Sequence, residues 1–407
     1  MRAFGTPSET LLAVDDAVEK VLARILPLEA ETVPLGQAHR RVLAEDVTAS
    51  TDVPPADNSA MDGYAVRASD TPGSLRVIGD LPAGRQPSRA VEAGTAIRIM
   101  TGAAIPPGAD AVAQVEITDG GATSVAVREA VRAGANVRRR GDDMRKGAVV
   151  LSSGTWLGAG EVGVAAAARR VSLRVTRRPL VSILATGDEL AGIGESEDSR
   201  IVDSNSYALA ALVSETGAIA RRAPLVRDDL AATTAAIENA LDADVVITTG
   251  GVSVGAYDFV KEALESLGAE THFWRVAMKP GKPVLFATVR GRAFFGLPGN
   301  PVSALVSFAV FVAPAIRKAL GRSSALTSPI VRMKTVARLK GAGDRRAYLR
   351  VRVVSRDGVL SAEPMSAQGS HVSTSMVQAN GLAIVDGSAV EAGEVVPVMM
   401  IGPVSAV

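Results

Sequence analysis

Cysteine is absent from this chain of 407 residues, which excludes disulfides, thiolate metal sites and a cysteine nucleophile and suits a reducing cytoplasm. Histidine is scarce. The three present, His39, His272 and His371, stand far apart, so each reads as structural and no His-rich metal site is expected. Neither sign of charge is in excess: 44 Lys and Arg balance 43 Asp and Glu, so no overall field favours nucleic acid or an anionic membrane. Residues 1–7 lack a basic region leading into an apolar one, and no signal peptide is expected. One uncharged run, 293–316, invites a membrane reading. Its Pro298, Gly299, Asn300, Pro301 and Pro314 leave about sixteen residues for a helix, short of the ~20 that span hydrocarbon. It reads as a buried helix instead.

What is present is organised in blocks. Thr6-Pro7-Ser8-Glu9 has the form of a capping box with proline at the first helical position. Leu11, Val14, Val18, Val21, Leu22 and Ile25 follow at helical spacing. From about residue 30 to 178, short β-rich runs alternate with Gly/Pro turns: 41–44, 64–67, 76–78, 96–100, 111–115, 124–127 and 149–151. A helix is expected at 160–168. From Leu180 the pattern becomes βα alternation. Strands are expected at 180–185, 218–226, 245–248, 272–277, 283–288 and 293–296, and helices at 206–215, 230–241, 259–267 and 302–320, which describes a parallel-sheet domain. After Gly321 strands return at 330–339, 347–354, 381–385 and 395–401.

Three stretches of the βα region carry chemistry. Thr248-Thr249-Gly250-Gly251-Val252-Ser253-Val254-Gly255, with Asp258 beyond, follows the apolar run 245–247 and reads as a strand entering a glycine-rich loop. Ligands of open α/β sheets bind at such strand ends, where glycine N–H groups and the hydroxyls of Thr248, Thr249 and Ser253 can meet a phosphate. Lys279-Pro280-Gly281-Lys282-Pro283 sets two ammonium groups about a stiff turn. In Gly296-Leu297-Pro298-Gly299-Asn300-Pro301-Val302-Ser303, Asn300 is placed as a helix N-cap and Pro301 at the first helical position. Taken singly, each is also a plain turn or surface loop; their convergence on successive strand ends suggests an anion site. Gly158-Ala159-Gly160-Glu161-Val162-Gly163 fits a dinucleotide fingerprint but lies outside the βα region, and Gly281-Lys282 runs into Pro283 rather than completing a phosphate loop.

Carboxylates flank the strands: Asp188 and Glu189, Asp203, Asp228 and Asp229, and Asp258. Capping is the first reading for Asp203 and Asp229. Beside phosphates, a few of the others would hold Mg²⁺, which takes one or two carboxylates plus phosphate oxygens. Arg275, Lys279 and Lys282 supply positive charge for an oxyanion. A second polar cluster lies upstream, in Asp57-Asn58-Ser59-Ala60-Met61-Asp62-Gly63-Tyr64, Arg98-Ile99-Met100-Thr101-Gly102 and Arg138-Arg139-Arg140-Gly141-Asp142-Asp143.

As a set, DNSAMDGYA, RIMTG, RRRGDD, TGDEL, TTGGVSVGAYDF, KPGKP, GLPGNPVS and QGSH closely resemble the MoeA-type molybdopterin molybdenumtransferases, a family that includes the E domain of gephyrin. The resemblance spans essentially the full length. It implies a multidomain chain of α/β and all-β parts: a split domain of residues 1–50 and 145–178, an inserted β module of 51–144, a three-layer molybdopterin-binding domain of 179–325 and a barrel-like C-terminal β module of 326–407. It further implies a cytoplasmic homodimer whose active site joins the α/β domain of one subunit to the inserted module of the other. The implied reaction converts adenylylated molybdopterin and molybdate to molybdenum cofactor and AMP, with Mg²⁺. Carried over by motif, the catalytic set is Asp62, Thr101, Asp143, Glu189, Asp228, Asp258 and Lys279. Glu189, Asp228 and Asp258 are expected at the cation. Thr249, Gly250, Gly251, Ser253, Gly255, Arg275, Lys282, Pro298, Asn300, Pro301 and Ser370 are expected to bind the ligands. Arg275 stands where the family often has lysine, keeping charge but changing reach. Transient contacts with other cofactor-synthesis proteins and with apo-molybdoenzymes are expected, and nucleic acid and membrane are not. Two competing functions are a molybdopterin adenylyltransferase, whose chains are mostly the α/β domain alone, and a scaffold that binds cofactor or peptide.

Overall fold

The computed structural model describes residues 11–195, 200–251 and 259–406. The capping box at residues 6–9 and the site residues Ser253, Gly255 and Asp258 lie outside them. The first helix described is Val14–Arg24, preceded by Ala13 with no side-chain cap; Leu12 is extended and bridges to Val276. The helical spacing thus begins at Val14, and Leu11 lies before it. Val14, Ala17 and Val21 form its buried stripe.

Two short ladders tie segments distant in sequence: Ala30–Pro34 pairs with Ser172–Thr176, and Val47–Thr48 with Val149–Leu151. Between them a five-stranded sheet runs in the order Ala111–Gln114, Gly63–Val66, Thr95–Ile99, Gly73–Leu81, Ser124–Val127. Helix Ala159–Ala167 follows close to its expected place.

The α/β region is a six-stranded sheet in the order Ile219–Arg222, Leu180–Ala185, Val245–Thr249, Arg292–Leu297, Pro283–Val289, Glu270–Arg275. Its first four strands are parallel, but the last two pair antiparallel, so the sheet is mixed and the all-parallel expectation is corrected. The reason is local. Residues 290–291, Arg and Gly at φ 48° and 77°, make a tight hairpin between 283–289 and 292–297, leaving no room for a crossover helix.

Every residue of Val245–Thr249 is buried, as a central strand covered on both faces requires. Val245 and Ile247 join a core with helices Val14–Arg24, Asn205–Thr216 and 301–319; Val246 faces helices Leu230–Ala240 and Phe259–Ser266. Phe286, Phe294 and Phe295 are fully buried, each stabilising by roughly 2–3 kcal/mol through burial.

The apolar run forms helix 301–319, long and apolar enough to cross a bilayer but largely buried against the sheet. Its middle, Phe308–Val312, is a π turn in which the Ala313 N–H reaches the Phe308 carbonyl, just before Pro314, which has no N–H to give. The C-terminal region is β-rich. Leu339–Arg356 pairs with Val359–Pro364, that with Ile330–Thr335, that with Val395–Met400, that with Gly381–Val390, which returns to Leu339–Arg356. The pairing path closes on itself into a ring, and Leu339–Arg356 takes two further short partners, Met278–Lys279 and Ser405–Ala406.

Candidate functional site

The parallel strands end in loops that touch. Beyond Leu180–Ala185, the Thr186 N–H donates to the Thr249 carbonyl (3.1 Å) and Thr186 bridges to Val226. This brings Asp188 beside Asp228. The Asp188 N–H donates to Asp228 Oδ2 and the Asp228 N–H to Asp188 Oδ1, each at 3.3 Å. Glu189 is exposed, with its carboxylate folded back over Gly187; a Cβ on Gly187 would lie 2.5 Å from Glu189 Oε1. Glycine there gives the carboxylate its place.

Gly250 and Gly251 adopt φ 92° and 65°, open to glycine and rare for other residues. A Cβ on Gly250 would stand 2.6 Å from the Thr186 carbonyl. The Gly250 N–H donates to the Leu297 carbonyl at 3.1 Å, so this glycine serves close backbone approach rather than phosphate donation. Thr249 is buried, and the buried hydroxyls of Thr186 and Thr248 have no hydrogen-bond partner among the described residues.

The cations come next along the edge. Lys279 and Lys282 are both exposed around the turn at Gly281, whose φ is 99°. Met278–Lys279 leaves the α/β sheet and pairs with Arg346 and Ala347 of the C-terminal ring. Arg275 lies over the Trp274 ring, 4.9 Å from its centroid. Pro298 is buried. Asn300 and Pro301 begin helix 301–319 as expected, and the Asn300 carbonyl accepts from the Ala304 N–H; the Asn300 side chain makes no capping bond. The Val302 N–H is taken by the Ser370 carbonyl at 3.1 Å, which docks the QGSH loop on the helix start.

Arg350 was not legible as a site residue. Fully buried, it donates to Ser375 Oγ and to the carbonyls of Ala367 and Gly369, so it holds that loop from inside. Along a β-strand pattern an arginine reads as a solvent-facing residue, and nothing in the sequence marks this one. Capping accounts for two other acids. Asp203 Oδ1 accepts the Ser206 N–H (3.0 Å) and Asp229 Oδ1 the Ala232 N–H (2.8 Å).

The upstream motifs form a cluster on the five-stranded sheet and its flanks. Thr101 donates both its N–H and its hydroxyl to Asp62 Oδ1, each at 2.7 Å, and these bonds hold the Asp62 carboxyl below its ordinary range. Asp57 accepts the Arg140 N–H (2.8 Å) and the Arg139 guanidinium (2.7 Å), and is lowered for the same reason. The Asp143 N–H donates to the Val53 carbonyl at 2.9 Å. All three motifs therefore meet, with Asp62, Thr101 and Asp143 exposed.

Three family models match in order: the MoeA N-terminal region, domains I and II, at residues 12–168; a probable molybdopterin binding domain at 182–318; and the MoeA C-terminal region, domain IV, at 332–401. A molybdopterin molybdenumtransferase of Haemophilus influenzae is 36% identical over 399 residues, covering 95% of this chain and 98% of that one. One from Nostoc is 39% identical, covering 88% and 85%. Among solved structures, a molybdopterin biosynthesis MoeA protein from Pyrococcus horikoshii superposes with a TM-score of 0.83 at 29% identity, covering 96% of this chain and all of that one.

Proposed function

This chain belongs to the MoeA family of molybdopterin molybdenumtransferases, and from that membership we propose how its site carries the transfer. Its activity is that of a transferase delivering molybdenum to molybdopterin. In our reading the pterin arrives adenylylated, molybdate is the metal source, and cofactor and AMP leave. The observation that carries this is the shared rim: Gly250 and Gly251, the Asp188–Asp228 pair, Lys279 and the helix start held by Ser370 all border one sheet edge.

Molybdate is a dianion, and seating it beside a phosphorylated pterin requires fixed positive charge. Lys279 and Lys282 are exposed and joined by a constrained turn, which supports that role; Arg275 adds a third cation. The thiolates that receive molybdenum belong to the pterin, so a chain without cysteine is no obstacle. Thr249, Gly251, Pro298, Asn300, Pro301 and Ser370 shape the wall against which the nucleotide and pterin are oriented. Asp228, held beside Asp188, and Glu189, next to Asp188 in the chain, offer hard carboxylate oxygens suited to Mg²⁺, one or two of which would join phosphate oxygens around it. When bound, that cation would neutralise charge building on the phosphate anhydride. Asp258, in the motif that carries Gly250 and Gly251, is assigned to this set from the family resemblance.

Asp62, Thr101 and Asp143 are assigned to complete the site from a second subunit in a homodimer. Support comes from the exposed Asp62–Thr101 pair on a sheet separate from the α/β edge, with Asp143 exposed in the arginine-rich motif that Asp57 ties to the same module. A cytoplasmic setting follows from the reaction's soluble substrates, and transient hand-over to apo-molybdoenzymes from its product. The test is direct: purified protein is incubated with adenylylated molybdopterin, Mg²⁺ and molybdate, and AMP and reconstituting cofactor are assayed. Joint appearance of both supports the reading; AMP without cofactor, or neither, overturns it.

A further inference from the structure

Asn205 opens helix Asn205–Thr216 and points its side-chain amide across the sheet edge. Its Nδ2 donates to Thr249 Oγ1 at 2.8 Å and to the Gly299 carbonyl at 2.7 Å. A carbonyl can only accept, so the nitrogen and not the oxygen must face Gly299, and both amide hydrogens are spent. The two acceptors belong to different segments, the end of strand Val245–Thr249 and the turn before helix 301–319. From Thr249 the chain of polar contacts continues to the Pro298 carbonyl at 3.4 Å, and Gly299 packs against Gly250.

The base of this strut is itself fixed. Asp203 accepts both the N–H and the hydroxyl of Ser206, the residue after Asn205. Arg222 Nε donates to that hydroxyl at 2.8 Å, and its guanidinium stacks 3.3 Å from the centroid of the Tyr207 ring. The first turn of the helix is therefore pinned by a buried carboxylate from one side and an edge-strand arginine from another. On the opposite side Gly250 is pressed on Thr186, leaving no room for a side chain there. Thr249 and Gly250 are held between a wall and a post.

We infer that Asn205 is a positioning residue for the transfer reaction: it fixes the spacing between Thr249–Gly251 and the Pro298–Pro301 turn, and so preorganises the nucleotide-facing wall before substrate arrives. Asn205 need not touch the reacting atoms. The inference rests on the proposed function for its catalytic consequence, and on the two hydrogen bonds alone for its physical one. Groups held by such a support bind ligand without reordering, and losing it shows in affinity before it shows in chemistry.

The experiment compares wild type with Asn205→Ala in three measurements. Hydrogen exchange on the unliganded proteins should rise at residues 249–251 and at Gly299, Asn300 and Val302 in the variant and nowhere else, at an unchanged melting temperature. KM for adenylylated molybdopterin should rise about tenfold, with kcat within about threefold of wild type. Unchanged exchange at both segments, or an unchanged KM in a folded variant, overturns the inference. Asn205→Ser, which suits a helix start but cannot span both acceptors, replaces the alanine variant should that one not fold. Local exchange that rises in a protein whose wild type inserts no molybdate would sustain the strut and sink the reaction assigned to the chain.

Discussion

Asp188 and Asp228 hold each other by the backbone: each carboxylate accepts the other's N–H at 3.3 Å across two separate strand-end loops. The exchange fixes both loops at one distance and keeps two acid groups side by side, where they would otherwise repel. Either residue is thus both ligand candidate and brace. Replacing Asp228 by Asn preserves size while removing charge from the pair, which makes it the gentlest way to disable this edge.

That variant allows a test of the shared site. Asp228→Asn and Asp62→Asn should each be folded and inactive. Mixed under conditions that allow subunit exchange, they should recover a sizeable fraction of activity, because one composite site then carries both defects and the other none. Exchange is verified with differently tagged subunits. A verified heterodimer with no activity would remove the trans assignment of Asp62, Thr101 and Asp143.

Lys279→Ala should raise the molybdate concentration needed for half-maximal rate by about tenfold or more, with binding of the adenylylated pterin changed much less. Titrating each ligand separately distinguishes the two. Equal weakening would place Lys279 on the phosphates.

Arg177 and Asp244 give a prediction for pH. Arg177 sits between the strand Ser172–Thr176 and the sheet strand Leu180–Ala185, and grips Asp244 through two bonds of 2.6 and 2.7 Å; the Leu180 N–H adds a third at 2.9 Å. Burial pushes the Asp244 carboxyl up, but Arg177, the Leu180 N–H and Arg292 outweigh it and the net shift is downward. A lowered folded-state value stabilises above the ordinary carboxylate range and loses that contribution as pH falls through it. Asp244→Asn should therefore cost about 2–4 kcal/mol at pH 7, and its deficit against wild type should shrink as pH drops below about 4. Chemical denaturation across pH reads this; a deficit constant with pH would contradict it.

Much of the molecule was legible because its signals are local. Apolar runs, helix periodicity and capping acids marked most of the α/β elements, and Asp203 and Asp229 cap as their positions suggested. What escaped was set by long-range pairing. Whether Pro283–Val289 runs parallel or antiparallel depends on a two-residue hairpin, and the short ladder of Ala30–Pro34 with Ser172–Thr176 joins segments no local pattern connects. At the site, motif residues were visible by type, whereas their supports were not. No sequence signal marked Asn205 or Arg350; each gains its role only from carbonyls that folding brings near.

The strand Met278–Lys279 pairs with the C-terminal ring, and the Ser370 carbonyl closes the start of helix 301–319. The terminal module is in this sense a wall of the proposed site and not a passenger attached to it. Cutting the chain after the α/β region would leave a sheet whose lysine-bearing strand has lost its neighbour and whose helix entrance has lost its lid. A shortened protein could keep its α/β core and still have no place to set an oxyanion down.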